Sequence, residues 1–216
     1  MGRAQSKLSL ELCGASVLNR TLESILSSTE IVRVVVPCPA KNLEQFRLDT
    51  KALVGHDRLD FIAGGESRQE SVWHALEFLK QTGASATDKV IIHDGARCLI
   101  TPALLSNFVK ELHASSAATL GIPVYDTLKS VRQGIVVETV ARDSLWAMQT
   151  PQGFDFGLLY SAHERAAKAG NFAASDDVGL LEGTLPVKVV MGDVENIKIT
   201  CAQDLQLAAG ILAGRV

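Results

Sequence analysis

Residues 90–97 constrain the fold and the function of this chain more than any other segment. Val90, Ile91 and Ile92 form a short apolar run, which is typical of a strand buried on both faces of a parallel sheet. His93-Asp94-Gly95-Ala96-Arg97 follows directly, and ligands of open α/β sheets bind just outside the carboxyl ends of the strands. An acid and an arginine are therefore expected at a ligand site, although a purely structural Asp94–Arg97 pair explains these residues equally well.

Length, charge and cysteine spacing narrow the class of protein. The chain has 216 residues, 47% of them hydrophobic, and a net charge of −3, which predicts one well-buried domain over residues 1–216 and no general surface for nucleic acid. The four cysteines show no CxxC spacing, so we expect neither a disulfide framework nor a zinc site. The sequence has no apolar run long enough to span a membrane and no signal-peptide core, so a cytoplasmic protein is expected.

Strand and helix patterns alternate along the chain. This alternation predicts right-handed crossovers and a single Rossmann-like α/β domain, with a mainly parallel sheet and helices on both faces. A short edge-like segment is expected at 195–200. Strands are predicted at 31–36, 59–63, 89–93, 117–124 and 185–191, and helices at 17–27, 41–53, 69–81, from Pro102, 154–169 and 202–212.

Two segments depart from this alternation. Within residues 126–150, two strand-like runs at 127–131 and 135–140 meet near Gln133-Gly134, which predicts an inserted β-hairpin arm. Such an arm cannot bury both faces on its own subunit, so we expect a homodimer, the alternative being a flap over its own sheet. Ser175-Asp176-Asp177 is typical of an N-cap and predicts a helix over residues 178–182, with a structural role for Asp177.

The chemistry-bearing residues favour an anionic ligand. An anionic substrate such as a phosphate needs local cations, although each cation taken singly is better explained as a solvated surface residue. A G-x-S-x-G elbow, a Walker A loop and metal-binding histidine spacing are absent, and His93 is expected to bond to backbone at a strand end. The residues alone thus predict an α/β domain that binds a phosphorylated small molecule. The candidate cations are Lys7, Arg68, Arg97, Arg142 and Lys198.

Six segments, in order along almost the whole chain, carry a more specific signal. They resemble the 2-C-methyl-D-erythritol 4-phosphate cytidylyltransferase family, whose fold is that of the nucleotide-diphospho-sugar transferases. The matching segments are Ser6-Lys7, Gly64-Gly65-Glu66-Ser67-Arg68-Gln69-Glu70-Ser71-Val72, His93-Asp94-Gly95-Ala96-Arg97, Pro123-Val124-Tyr125-Asp126-Thr127-Leu128-Lys129, residues 139–152 with Thr139-Val140-Ala141-Arg142 and Thr150-Pro151-Gln152, and Glu195-Asn196-Ile197-Lys198-Ile199-Thr200.

The resemblance implies a transferase of isoprenoid biosynthesis. It would move CMP from CTP to the sugar-alcohol phosphate and release pyrophosphate, with Mg²⁺ held mainly through the CTP phosphates and no protein metal ligand assigned. Ribitol 5-phosphate is the alternative acceptor, and a non-catalytic nucleotide-binding relative is the more distant alternative. Neither nucleic acid nor a membrane is implied.

The resemblance also implies roles for individual residues. Lys7, Lys198 and Arg142 would be catalytic, the two lysines by neutralising charge on the α-phosphate. The cytosine pocket would be formed by Gly65, Glu66 and Ser71, and Asp94 and Gly95 would lie beside the ribose and the phosphates. Acceptor contacts would come from Arg97, Thr127, Arg142 and Thr150, with Thr127 and Arg142 reaching the neighbouring subunit's site on the arm.

One departure from the family pattern concerns the N-terminus. The family begins with a strand and a Gly-rich loop, and such loops cradle phosphates with backbone N–H groups. Here Met1 falls about where that loop ends, and Ser6 replaces a proline. We expect a gap near the middle of the sheet, and either a start further upstream or, less favoured, a weakened relative.

Overall fold

The computed structural model describes residues 7–215, so Ser6 lies outside the described residues. A hairpin of two short strands, β1 (Glu11–Leu12) and β2 (Ala15–Ser16), precedes the first helix, in a region where no strand was expected. The remaining elements are α1 (Val17–Leu26), β3 (Val34–Cys38), α2 (Leu43–Asp49), β4 (Leu59–Ala63), α3 (Arg68–Gln81), β5 (Lys89–Ile92), α4 (Pro102–His113), β6 (Ala117–Pro123), β7 (Leu128–Arg132), β8 (Ile135–Val140), β9 (Trp146–Asp155), α5 (Phe156–Lys168), β10 (Lys188–Met191) and α6 (Ala202–Ala213).

The main sheet has four strands in the order β10-β6-β9-β5. β10 and β6 are parallel, whereas β9 runs antiparallel to both β6 and β5. β3 and β4 form a separate parallel pair. The α/β class is confirmed, but the pairing is more mixed than expected, because the unpredicted β9 lies between β6 and β5 and runs antiparallel to both.

Helix starts follow the capping signals in the sequence. Thr101 caps α4, with its hydroxyl accepting from Leu104 N–H at 3.2 Å, and Pro102 is the first helical residue, as predicted. Ser16 and Ser67 cap α1 and α3 in the same way. These helices were predicted from the sequence, and their observed bounds differ only at the ends.

The strand predicted at 31–36 is confirmed but runs from Val34 to Cys38, since the Ile31 carbonyl accepts from the Arg58 guanidinium and not from a neighbouring strand. Two other local predictions are wrong. Residues 195–200 form no strand, since their backbone bonds to a loop and to a side chain. The helix expected at 178–182 is only the 3₁₀ turn Val178–Leu180, and Asp177 makes no side-chain cap bond to it.

A large cavity separates the β3–β4 pair from the main sheet. It measures about 700 Å³ and is lined by β3 and β5 and by apolar side chains such as Leu22, Leu76 and Leu105. β3 pairs only with β4 and β5 only with β9 among the described strands, so each presents an unpaired edge to this space. The gap expected from the sequence is therefore confirmed, and an apolar cavity of this kind lowers stability.

The hairpin arm is formed as predicted by β7 and β8. Gln133 and Gly134 have φ values of 50° and 80°, the conformation of a two-residue type I′ turn. The two strands pair with each other and with no other described strand. Val131, Ile135, Val136 and Val137 on the arm are all more than half exposed.

The described helices are all too short or too polar to span a lipid bilayer.

Candidate active site

A small polar pocket lies at the carboxyl end of β5. Its volume is about 140 Å³. Its walls come from the start of α3, the loop after β5, the middle of β9, the turn at 175–176 and the segment at 195–200. Asp94, Arg97, Thr150 and Lys198 all line it, so the structure brings together four of the residues singled out from the sequence.

Asp94 is the centre of charge in this pocket. Its Oδ2 lies 2.8 Å from Lys198 Nζ and 3.8 Å from Arg97 Nε, and its Oδ1 lies 3.3 Å from Arg68 Nε. Burial alone would raise the pKa of Asp94, but the hydrogen bond and charge of Lys198, with the charge of Arg68, outweigh it and lower the pKa. The carboxylate therefore stays ionised and holds three cations around one pocket.

His93 and Thr150 hold the loop that carries Asp94. The Thr150 hydroxyl accepts from Asp94 N–H at 3.0 Å and lies 3.1 Å from His93 Nδ1, while His93 Nε2 lies 3.1 Å from the Arg97 carbonyl. Burial lowers the pKa of His93 to about 4. A neutral ring with its proton on Nε2 satisfies all three contacts, so the prediction of a backbone-bonded strand-end histidine is confirmed.

The segment at 195–200 is joined to this loop by backbone contacts. Ile199 N–H donates to the Ala96 carbonyl at 2.8 Å, and Arg97 donates to the Asn196 carbonyl at 2.8 Å. The buried Asn196 side chain donates to the Thr150 carbonyl at 3.0 Å. These bonds place Lys198 beside Asp94, although the segment is not a strand.

The loop before α3 is pre-organised by its own side chains. Ser71 Oγ accepts from Gly65 N–H at 3.0 Å, and Glu70 Oε2 accepts from Glu66 N–H at 2.6 Å. A Cβ on Gly65 would lie 2.3 Å from the Glu70 side chain, so only glycine fits there. The exposed Glu66 and its neighbours do not line the pocket, but the same loop leads directly into Arg68, which does.

The remaining predicted residues lie outside the pocket walls. Lys7 is exposed at the start of the 3₁₀ turn Lys7–Ser9, next to Leu8, whose side chain lies against Gly95. Thr127 and Arg142 are exposed on the arm, and Arg142 donates to the Tyr125 carbonyl. Within one chain, the structure does not bring these two arm residues to the pocket.

Comparison with known proteins identifies the family. The sequence model of the family described as "IspD: 2-C-methyl-D-erythritol 4-phosphate cytidylyltransferase" matches residues 1–214. The chain belongs to this family. It is 39% identical to the protein of that name from Trichodesmium erythraeum, covering 98% of this chain and 92% of the relative, and 38% identical to the one from Pelotomaculum thermopropionicum, covering 100% and 90%.

Solved structures agree with this cytidylyltransferase assignment. The structure of 2-C-methyl-D-erythritol 4-phosphate cytidylyltransferase from Thermus thermophilus superposes with a TM-score of 0.80 at 32% identity, covering 96% of this chain and 94% of that one. A 4-diphosphocytidyl-2C-methyl-D-erythritol synthase from Anaerococcus prevotii gives 0.84 at 27% identity, covering 97% and 94%. The chain is thus a nucleotidyltransferase with the fold of this family.

Three further residues line the pocket of this cytidylyltransferase. Arg68 was one of the candidate cations, whereas Gln152 and Asp176 were not predicted for the site. Gln152 Nε2 donates to Asp176 Oδ2 at 3.0 Å. The adjacent acids Asp176 and Asp177 could have indicated a functional role in the sequence, but they were interpreted as a helix cap.

The donor set fits a metal held mainly by substrate. Among residues 7–215 no three acidic, histidine or cysteine side chains cluster as a metal-binding group. Mg²⁺ in phosphoryl-transfer enzymes often retains waters and relies on substrate phosphates for much of its coordination. The three cations that line the pocket suit the substrate phosphates that would carry such a metal, and we assign no side chain as a metal ligand.

The neutral His93 predicts a pH dependence of stability. Because its pKa falls from the ordinary 6.5 to about 4 in the folded protein, the unfolded chain binds a proton that the folded chain does not bind between these values. The free energy of unfolding should therefore fall by up to about 3 kcal/mol as the pH drops through this window. Urea unfolding of wild type and His93→Asn across this range checks this, and equal pH slopes for the two proteins would contradict it.

Proposed function

We propose that the protein transfers CMP from CTP to 2-C-methyl-D-erythritol 4-phosphate at the pocket around Asp94. The observation that carries the proposal is the convergence of Arg68, Arg97 and Lys198 on that one carboxylate, at the carboxyl end of β5, in a member of this cytidylyltransferase family. Phosphoryl transfer depends mainly on positioning and charge neutralisation, which is what three cations gathered at one pocket supply.

In the proposed reaction, a phosphate oxygen of the acceptor attacks the α-phosphorus of CTP in line. A new P–O bond forms, the bond from the α-phosphorus to the oxygen bridging to the β-phosphate breaks, and pyrophosphate leaves with that electron pair. Lys198 is suited to follow the negative charge, because its side chain is 44% exposed and is held to Asp94 at only one point. Lys7, exposed beside the same loop, is the second proposed cation.

The loop at residues 64–66 is the proposed cytosine site. Glu70 and Ser71 hold the backbone of this loop in place before any ligand binds, and such pre-organisation reduces the entropic cost of binding. Gly65 would present its backbone to the base edge, with Glu66 and Ser71 beside it. Asp94 and Gly95 would face the ribose and the phosphates.

Arg97 is the proposed acceptor-phosphate ligand of this chain. Its guanidinium is already bonded to the Asn196 carbonyl and so is fixed in orientation, which favours bidentate phosphate binding. Thr150 is 5% exposed and its hydroxyl is engaged by Asp94 N–H and His93. We therefore propose that Thr150 mainly holds the loop that carries Asp94, and that contact with the acceptor is its lesser role.

We further propose that the arm completes the site of a second subunit. The arm exposes Ile135 at 71% and Val136 at 57%, and a second apolar patch on β9 and β10 exposes Met148 at 40% and Met191 at 57%. Met148 also lines the pocket. An arm packed on this patch would bury both surfaces and would carry Thr127 and Arg142 of one subunit to the pocket of the other.

Mg²⁺ and a cytoplasmic location complete the proposal. Mg²⁺ bound through the CTP phosphates would neutralise their charge during transfer. The four cysteines are free, which agrees with a reducing compartment.

Replacing Lys198 tests the proposed site directly. Lys198→Gln keeps most of the length and the polarity of the side chain but removes its charge, so kcat/KM for pyrophosphate release from CTP and methylerythritol phosphate should fall about a hundredfold. Lys188→Gln is the matched control, because Lys188 is a similarly exposed lysine paired with Glu111 away from the pocket. Equal activity in both variants would contradict the proposed site.

The acceptor is tested in the same assay with ribitol 5-phosphate in place of methylerythritol phosphate. Wild-type turnover should be much faster with methylerythritol phosphate. Preference for ribitol phosphate would overturn the acceptor but leave the cytidylyltransferase class standing. No turnover with either would favour the non-catalytic relative.

Mixing two variants that each lose most of their activity tests the contribution of the arm. Lys198→Gln removes a group from a subunit's own pocket, whereas Arg142→Gln removes one that acts on the partner's pocket. Co-expression in equal amounts should restore about a quarter of wild-type activity, because half of the dimers are mixed and each mixed dimer has one intact site. If Arg142 serves its own subunit, no mixed dimer has an intact site and activity stays absent.

A further inference from the structure

A buried polar chain runs behind the pocket, from Arg68 into the core. Arg68 Nη2 lies 2.8 Å from Asp177 Oδ2, and Asp177 Oδ1 lies 3.0 Å from His163 Nε2 on α5. The Asp177 side chain is 1% exposed and that of His163 is 0% exposed. The chain therefore links a core residue to a cation that lines the pocket.

Asp177 does not have the capping role that its position indicates. The cap of the 3₁₀ turn Val178–Leu180 comes from Asp176, whose Oδ1 accepts from Gly179 N–H at 3.0 Å. Asp177 is instead held in place by its backbone N–H, which donates to Gln152 Oε1 on β9 at 3.1 Å. Burying a carboxylate is costly unless it is paired. The ion pair with Arg68 therefore offsets the cost of burying Asp177.

Arg68 is shared between two carboxylates. Its Nε faces Asp94 Oδ1 at 3.3 Å while its Nη2 faces Asp177 Oδ2 at 2.8 Å. Burial alone would lower the pKa of Arg68, but the charges of Asp177 and Asp94 raise it, so the guanidinium remains charged. A planar guanidinium bonded at two edges has one orientation, which a lysine at this position would not reproduce.

We propose that Asp177 and His163 are positioning residues for the transfer reaction. Asp177 fixes the Arg68 guanidinium, Arg68 fixes Oδ1 of Asp94, and Oδ2 of Asp94 is thereby kept facing Lys198 and Arg97. His163 holds Asp177 from the core side, since its Nε2 is within hydrogen-bond distance of the carboxylate and its ring is fully buried. This inference rests on the proposed catalytic site around Asp94.

The first test is Asp177→Asn, which keeps the shape of the side chain and removes its charge. Released from Asp177, Arg68 should no longer hold Asp94, and kcat/KM should fall about tenfold to a hundredfold, as expected for misplaced catalytic groups. Asp155→Asn is the control, because it breaks a half-buried ion pair with Lys89 at the opposite end of β5, away from the pocket. Wild-type kcat/KM in Asp177→Asn would overturn the proposal.

A double-mutant cycle separates positioning from general destabilisation. If Asp177 acts only through Arg68, Asp177→Asn combined with Arg68→Gln should be no slower than Arg68→Gln alone, measured at a temperature well below melting for each variant. A loss equal to the product of the two single losses would overturn the proposed route through Arg68.

The His163 variants keep the inference testable if Asp177→Asn fails to fold. His163→Gln retains a donor toward Asp177 and should keep most of the activity, whereas His163→Leu should lose it. Full activity in a folded His163→Leu protein would overturn the role of His163. An inactive Lys198→Gln beside a fully active Asp177→Asn would overturn this inference alone, whereas a fully active Lys198→Gln would overturn the site itself.

Discussion

The ion cluster around Asp94 is the interaction on which the site depends. One carboxylate, with a side chain 13% exposed, faces Lys198, Arg68 and Arg97 from three different segments of the chain. Without Asp94, three cations in a small pocket would repel one another, and without the cations a buried carboxylate would be strongly disfavoured. The cluster therefore keeps three positive charges together at the pocket in the absence of an anionic substrate. Lys198 is the cation most able to exchange Asp94 for a substrate phosphate, because its side chain is the most exposed of the three.

The fold brings these groups together through strand ends and not through sequence proximity. β5 delivers the loop with Asp94 and Arg97, and the neighbouring β9 delivers Thr150, whose hydroxyl holds that loop. The segment at 195–200 bonds to the same loop and presents Lys198. Behind them, Asp177 and His163 connect Arg68 to the core. The pocket therefore depends on packing far from it, in the helix α5 as well as in the sheet.

The sequence was sufficient to predict those elements whose signals lie within a few neighbouring residues. Thr101-Pro102 predicted the start of α4, and Gln133-Gly134 predicted the turn of the arm. It was insufficient for β9, because Thr150, Pro151 and Gly153 interrupt any strand pattern and only tertiary pairing with β5 and β6 specifies the strand. Asp94, Arg97 and Lys198 were found through motifs, whereas Asp177 was taken for a cap because its partners His163 and Arg68 are remote in sequence. Buried polar contacts between distant segments leave no periodic signal.

The most direct test of the account is a crystal structure of the protein with Mg²⁺ and a non-hydrolysable CTP analogue. The account predicts phosphate density within hydrogen-bond distance of Lys198, the base beside residues 64–66, and Arg68 still bridging Asp94 and Asp177. Nucleotide density in the large cavity between β3 and β5, with the pocket around Asp94 unchanged, would contradict it.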